Sequence, residues 1–246
     1  MRHDHYEPLD RMVQKLNTHS AISADDSAAL LSLPYTHRHY DPGSYLVREG
    51  DAPDQCGVLL TGYAYRHKLN HDGARQIVSI HIPGEILDLQ HLFLDVADHN
   101  VQTLTACTVA NVPRSAFRAL ARERPSIAHA IFINVLVEAS AFREWLLNVG
   151  RRDARARVAH LLCEFAIRLD KQGLSAGQEY ELPMSQEQLG DALGLTAVHV
   201  NRTLQRLVED GLVTRDKRHV SFPRWEALRD VAQFSSRYLH LAQQLS

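Results

Sequence analysis

Residues 184–222 constrain the fold of this chain more than any other stretch. Ser185 is followed three residues later by Gln188, a pattern that predicts a reciprocally hydrogen-bonded helix start. The apolar spacing carries that helix to about Leu193. Gly194 comes next, where a helix often ends in a left-handed residue. The segment therefore predicts a short helix with a defined beginning and a defined end.

A second predicted helix and a basic hairpin follow that glycine. Thr196 is a good helix-capping residue, and the pattern after it predicts a helix over residues 197–209. Two short helices joined by a glycine turn form a helix-turn-helix. Residues 212–221 then predict a hairpin whose tip carries Lys217 and Arg218, similar to the wing of a winged helix. Their positive side chains are suited to DNA phosphates.

The outward face of the second helix carries side chains that read base edges in the major groove. Arginine pairs with guanine, asparagine and glutamine pair with adenine, and small apolar groups touch the thymine methyl. Residues 196–224 hold six Lys or Arg against three Asp or Glu, so a basic surface exists locally. The predicted base-reading face consists of Ala197, Val198, Asn201, Arg202, Gln205 and Arg206.

Composition excludes several classes of protein. The 246 residues carry 27 basic and 29 acidic side chains, a net charge of -2, which excludes a polybasic tail or an acidic disordered chain. Residues 1–150 hold 13 basic and 17 acidic side chains, whereas residues 151–246 hold 14 and 12. The length allows two ordinary domains with cores of their own.

The cysteines and the hydropathy indicate a cytoplasmic protein. Cys56, Cys107 and Cys163 are odd in number and widely separated, which argues against a disulfide framework or a cysteine-ligated zinc site. No uninterrupted apolar run reaches the roughly 18–20 residues of a membrane span. We therefore expect a soluble intracellular chain with no membrane partner.

A different pattern fills the stretch from Tyr35 to about Val112. Short runs rich in β-branched residues alternate with turn residues every 8–12 positions, and apolar residues recur with period two over residues 78–82. This pattern predicts a small antiparallel β-barrel or jelly roll. Residues 88–94 are apolar and free of turn residues, and predict a short helix between strands.

A long helix is predicted beyond Pro125, with seam positions spaced alternately three and four residues apart. Packing on the chain's own barrel and a coiled coil between subunits both fit such a seam. We favour the coiled coil and assign Phe132, Leu136 and Leu146 to the barrel-facing side. The predicted dimerisation seam is Ile131, Val135, Glu138, Phe142, Trp145 and Val149, with Glu138 as its polar interruption.

These segments give an α+β fold with three parts. Residues 1–124 form an N-terminal extension and the sensor barrel, residues 125–150 the dimerisation helix, and residues 151–246 the winged helix-turn-helix domain.

The chain resembles the CRP/FNR family of bacterial transcription regulators from about Tyr35 to Trp225. The most specific match is the run from Gly194 to Leu204, and Pro83-Gly84-Glu85 is similar to the family's barrel signature. The resemblance implies a cyclic-nucleotide-binding-like sensor and a regulator that is not an enzyme. It also implies a homodimer on a roughly palindromic operator in double-stranded DNA, with RNA polymerase as a further partner.

Family positions imply individual roles in DNA binding. Ala197, Val198 and Arg202 correspond to base-reading positions, and Thr196 and His199 lie where the family approaches phosphate. Arg202 matches the family's guanine-reading arginine. Members that read a G·C pair commonly have an acidic residue where this chain has Val198, so we expect a thymine methyl contact there instead.

The effector region departs from the family's cyclic-nucleotide binders. Asp88-Leu89 stands where those members have Gly-Glu, and no arginine lies between Arg75 and Arg114 to neutralise a cyclic phosphate. A cyclic nucleotide is therefore not expected. Three cysteines cannot supply the four ligands of an iron–sulfur cluster. The chain has 15 histidines, so haem or metal ligation stays open as an alternative, and the effector is left unassigned.

Two other functions stay open at this stage. A cupin-type metal enzyme would use His37 and His39 as ligands, but it leaves the helix-turn-helix unexplained. A signalling module without DNA binding is the second alternative. The sequence does not distinguish an activator from a repressor.

Overall fold

A computed structural model describes residues 8–175 and 178–241 of the chain. These residues group into two compact units, which are described separately. The first unit comprises residues 8–66, 80–138 and 240–241, and the second comprises residues 67–79 and 139–239.

Two β-sheets lie within residues 36–113, mostly in the first unit, although residues 67–69 and 75–79 of two of their strands are grouped with the second unit. Three antiparallel strands pair in the order β1-β7-β3, and the other four lie in the order β2-β6-β4-β5. This arrangement confirms the predicted jelly-roll-like sensor, although neither sheet closes into a barrel. The strands are β1 (Thr36–Tyr40), β2 (Tyr45–Val47), β3 (Gln55–Thr61), β4 (Ala64–Leu69), β5 (Arg75–His81), β6 (Asn100–Thr103) and β7 (Cys107–Pro113).

Each face of the β1-β7-β3 sheet has its own apolar core, because side chains alternate between faces along a strand. Leu59 and Val109 point to the face that packs with Leu87. Val58 and Val112 point to the other face, which is covered by helices. Those helices are α1 (Asp10–Asn17), α2 (Ala24–Leu31), α3 (Arg114–Glu123) and the start of α4 (Pro125–Arg151).

Helix α4 has the predicted position and length. However, residues predicted to face another subunit pack on the first unit, and residues predicted to face the barrel are exposed. Ile131 is only 3% exposed, and Val135 packs beside it against the core of the first unit. Phe132 and Leu136, which we had assigned to the barrel side, are exposed. The prediction was wrong for these four residues. Apolar residues spaced alternately three and four positions apart occur on two adjacent faces of this helix. Only the tertiary contacts determine which of the two faces packs against the core.

The remaining seam residues also differ from the prediction. Glu138 accepts a hydrogen bond from buried Arg66 of strand β4, with 2.7 Å between Nη1 and Oε1. Trp145 donates its indole N–H to Glu164 of the same chain. Phe142 is exposed as predicted, and Val149 is half-buried. The exposed apolar strip of α4 is therefore Phe132, Leu136, Phe142, Leu146 and Leu147.

Helix α4 also passes a length-and-hydropathy test for a membrane span, the only described helix that does so. A single such helix is weak evidence, because long apolar helices of soluble proteins pass the same test. Its 27 residues include the charged side chains Glu138, Arg143, Glu144 and Arg151.

The second unit is a winged helix-turn-helix. Its three short strands pair antiparallel in the order β8-β10-β9, and helix α5 packs against both α7 and α8. We had not predicted α8 as a separate helix. The elements are α5 (Ala154–Lys171), β8 (Glu179–Glu181), α6 (Gln186–Leu193), α7 (Ala197–Glu209), β9 (Thr214–Asp216), β10 (His219–Ser221) and α8 (Trp225–Ala232), followed by a 3-10 turn (Ser236–Leu239).

Candidate nucleic-acid interface

The turn between α6 and α7 is fixed by local chemistry. Ser185 accepts a hydrogen bond from the backbone N–H of Gln188 at 3.1 Å, and its own N–H donates to the Gln188 side chain at 2.8 Å. Gly194 ends the helix with φ of 64°, a conformation that glycine adopts without steric cost. Gly190 has no side chain where the next turn passes, and a Cβ there would overlap the carbonyl oxygen of Leu195.

Helix α7 begins at its predicted residue because Thr196 caps it. The Thr196 hydroxyl accepts from the backbone N–H of His199 at 3.2 Å. Val200, Leu204 and Leu207 are buried and hold the helix against the domain. The opposite face of α7 is thereby directed outward.

Two side chains dominate that outward face. Val198, the second residue of α7, is 69% exposed. Arg202 is exposed one turn further on. Across the part of the chain that the structure describes, the Arg202 guanidinium has neither a hydrogen bond nor an ion pair. Gln205 and Arg206 are also exposed, and Ala197 is half-buried at the helix start.

Asn201 differs from its predicted role as a freely exposed base reader. It is half-buried, and its Oδ1 accepts a hydrogen bond from Nε2 of Gln186 at 2.8 Å. Gln186 is the first residue of α6, and a contact between two helices has no signature in the sequence. This bond holds the Asn201 amide against α6.

Arg157 of helix α5 holds the end of α6 in place. Its Nη1 donates to the carbonyl oxygen of Leu193 at 3.0 Å, and its Nε donates to the carbonyl of Arg152 at 2.8 Å. A cation at a helix C-terminus also interacts favourably with the helix dipole. No pattern in the sequence marks this role of Arg157, because its partner Leu193 lies 36 positions later.

The wing presents basic side chains at its tip. Lys217 has φ of 53°, a left-handed backbone that turns the chain between β9 and β10. The carbonyl of Arg218 accepts from the N–H of Leu182, which fixes the tip to the rest of the sheet. Arg215, which we had not singled out, donates Nε to the Lys217 carbonyl at 2.9 Å. All three basic side chains are exposed.

The first unit holds a buried polar cluster at the position of the family's phosphate-binding segment. Asp88 is 2% exposed, and its carboxylate contacts Nδ1 of His91 and, at 3.3 Å, Nε2 of His99. The predicted short helix here is a 3-10 turn over Leu89–Leu92. Nearby, Arg66 donates Nη2 to the carbonyl of Leu87 at 2.9 Å. A buried carboxylate in contact with two imidazoles, and an arginine with its own partners, thus occupy this region.

The cysteines and the candidate histidine ligands are dispersed. Cys56, Cys107 and Cys163 are buried free thiols, and burial raises the pKa of Cys56 and of Cys163 to about 12. His39 approaches the hydroxyl of Thr108, and His37 meets the ring of Tyr35 edge-on. Within the described ranges, no group of three or more His, Cys, Asp or Glu side chains is arranged to hold a metal ion. His3 and His5 lie outside the described residues.

Comparisons with known proteins agree with this geometry. Residues 37–124 match the model of the cyclic nucleotide-binding domain, and residues 156–231 match that of the Crp-like helix-turn-helix domain. The chain is 31% identical over 208 residues to the nitrogen fixation regulation protein FixK of Rhizobium meliloti, covering 82% of this chain and 90% of that protein. It is 29% identical over 210 residues to the transcriptional activator protein FnrL of Cereibacter sphaeroides, covering 82% and 84%.

A solved structure shows the same fold. FixK2 from Bradyrhizobium japonicum superimposes with a TM-score of 0.76 at 25% identity, covering 82% of this chain and all of that one. The relatives are regulators, so the enzyme alternative is set aside. The match to both domains, and to a full-length relative, shows that the chain belongs to the CRP/FNR family of DNA-binding transcriptional regulators.

Proposed function

We propose that the protein is a homodimer that reads a roughly palindromic operator with helix α7 of each subunit. The observation that carries this proposal is the open face of α7, where a largely exposed valine and an exposed arginine lie one turn apart. A guanidinium that is free of partners in the described chain is ready to make the bidentate contact with guanine O6 and N7.

Each exposed group on this face has a matching role on DNA. Val198 would contact a thymine methyl, and Arg202 a guanine in the same half-site. Thr196 and His199 lie at the start of α7, where backbone and side-chain donors approach phosphate. Lys217 and Arg218 at the tip of the wing would contact phosphates further along the duplex. Gln205 and Arg206 extend the face toward the end of the helix.

The exposed apolar strip of α4 supports the dimer. Leu146 is 71% exposed and Phe132 is 59% exposed, although both are large apolar residues. An uncovered stripe of this kind on a long helix is typical of a helix–helix interface between subunits. In this proposal the strip, rather than the seam predicted from the sequence, forms the contact between the two subunits. A dimer supplies two copies of α7, one for each half of a palindromic site.

The sensor does not use a cyclic nucleotide in this proposal. No arginine lies between Arg75 and Arg114 to neutralise a cyclic phosphate, and the buried carboxylate of Asp88 contacts two imidazoles there instead. Arg66 is a buried guanidinium near this region, and it is engaged by Glu138 and by the Leu87 carbonyl. Cyclic AMP and cyclic GMP should leave the melting temperature of the full chain unchanged. A stabilisation by either nucleotide would contradict this part of the proposal.

DNA binding is tested by selecting bound sites from a random duplex library with the full chain. Affinity for the selected operator is then measured by fluorescence anisotropy across a salt series. Arg202→Ala should cost about 1–3 kcal/mol and relax the preference at one base position in each half-site. Arg237→Ala, which removes an exposed arginine on the 3-10 turn, serves as the matched control.

Unchanged affinity and unchanged base preference in Arg202→Ala would remove this residue from the readout. Failure to select any duplex, with no salt dependence of binding, would refute the proposed function itself.

We also propose that the protein acts in the cytoplasm and activates transcription through contact with RNA polymerase. The relatives from Cereibacter sphaeroides and Pseudomonas aeruginosa carry the name transcriptional activator, which supports this direction of control. Transcription in vitro with purified polymerase and a promoter carrying the selected operator tests it. Increased transcript confirms activation, and reduced transcript identifies a repressor.

A further inference from the structure

A cavity opens on one face of the β1-β7-β3 sheet. It has a volume of about 400 Å³, near the lower end of the range for small-molecule pockets. Arg38 and Tyr40 of β1 line it together with Val109 and Asn111 of β7. Residues 51–54, the segment that leads into β3, form the opposite side.

The strand register explains why these side chains converge. Arg38 pairs with Val109, and Asn111 pairs with Gly57, so alternate residues of three neighbouring strands point to the same face. The adjacent residues His37 and His39 point away from it. Of the residues that line the cavity, only Leu87 and Asp88 belong to the segment that carries the buried cluster of Asp88, His91 and His99.

Most polar groups on the cavity wall have no partner inside the described chain. The structure gives no side-chain hydrogen bond or ion pair for Asp54, Gln55 or Asn111 among those residues. Arg38 makes only a contact with the ring of Tyr40, 5.0 Å from its centre. A ligand can therefore bind these groups without first breaking a hydrogen bond or ion pair inside the chain.

The charged side chains of the cavity wall favour a ligand that has one positively charged and one negatively charged group. Asp51 is already used, since its Oδ2 accepts from the backbone N–H of Arg48 at 2.8 Å. The carboxylate of Asp88 already contacts two imidazoles. One guanidinium, that of Arg38, and one carboxylate, that of Asp54, are left to meet charged groups of a ligand.

We propose that this cavity binds a free α-amino acid with an apolar side chain. Its carboxylate would meet Arg38, which presents a planar fork of donors suited to carboxylates. Its ammonium group would meet Asp54. The side chain would lie on the apolar part of the wall, formed by Leu46, Val47, Leu87 and Val109.

The proposal does not depend on the DNA-binding function and is tested by titration calorimetry on the full chain. L-Leucine is the probe, with 4-methylpentanoate and 3-methylbutylamine as analogues that each lack one of its two charges. L-Leucine should bind with one site per chain. Each analogue should bind at least about tenfold more weakly, because one charged contact is lost.

Variants then locate the site. Arg38→Gln and Asp54→Asn should each weaken L-leucine binding at least about tenfold. His37→Gln, on the same strand but the other face, is the matched control and should bind normally. Circular dichroism verifies that each variant is folded. Absence of binding at millimolar L-leucine, equal affinity for the analogues, or binding unaffected by both variants would each overturn the proposal.

Discussion

Arg66 and Glu138 form an ion pair with 2.7 Å between Nη1 and Oε1, and this pair joins strand β4 to the long helix α4. Arg66 is only 4% exposed, so its guanidinium depends on the protein for its partners. The pair gives a structural reason for an acidic residue within an otherwise apolar stretch of helix. It also fixes the rotation of α4 about its axis, which determines the side chains that face outward.

Glu138→Gln should lower the free energy of unfolding by about 1–3 kcal/mol, because it removes the charge that balances a buried guanidinium. Urea denaturation at one fixed protein concentration measures the loss. Glu123→Gln, an exposed carboxylate on α3, is the control and should have little effect. The double variant Arg66→Met, Glu138→Leu should recover much of the loss. A Glu138→Gln protein as stable as the parent would show that the pair contributes nothing.

The oligomeric state should depend on the exposed strip of α4 rather than on the seam predicted from the sequence. Leu146→Asp should convert the dimer to a folded monomer of 27.8 kDa, because it places a charge in an apolar interface. Light scattering after gel filtration gives the mass. Phe93→Asp is a close control, since Phe93 is an aromatic residue that is also 71% exposed but lies off the helix. A Leu146→Asp protein that remains dimeric would place the interface elsewhere.

Gly190→Ala should destabilise the second unit by about 1–3 kcal/mol, because the added Cβ overlaps the Leu195 carbonyl in a closely packed turn. Gly150→Ala is the matched comparison, since a Cβ there meets nothing within 4 Å and alanine favours the helix. The melting temperature should fall for the first variant and not for the second. Equal melting temperatures would show that the turn relaxes to admit a side chain.

Acid should weaken the second unit through His160. Burial, together with the positive charge of Arg152, lowers the pKa of His160 to about 3. The neutral form is therefore the one that fits the fold. Its contribution to stability is present above the unfolded pKa of 6.5 and is lost progressively as pH falls toward 3. Between pH 7 and pH 5 this loss should be at most about 2 kcal/mol, because Oε1 of Glu144, 3.1 Å from Nε2, favours the protonated form.

Urea denaturation at the two pH values tests this prediction. His160→Phe should show a smaller difference between pH 7 and pH 5 than the parent. His71→Gln, which alters a fully exposed histidine, should keep the parent's difference. An unchanged pH dependence in His160→Phe would assign the acid sensitivity to other groups.

Local chemistry explains which elements the sequence predicted. Helices α6 and α7 begin at their predicted residues because Ser185 and Thr196 act on backbone groups only three residues away. The rotation of α4 was mispredicted because it depends on Arg66, 72 residues before Glu138. The bond between Gln186 and Asn201 was missed for a similar reason, since it joins two helices whose crossing a one-dimensional pattern does not contain.

Glu164 accepts hydrogen bonds from Trp145 at the end of α4 and from Tyr238, at 2.7 Å, near the end of the described chain. Glu164 itself is 1% exposed. During synthesis on the ribosome, this buried carboxylate is already contacted by Trp145 and Arg168, and its last donor, Tyr238, is made 74 residues later. The second unit therefore acquires its complete core only when the final turn has emerged.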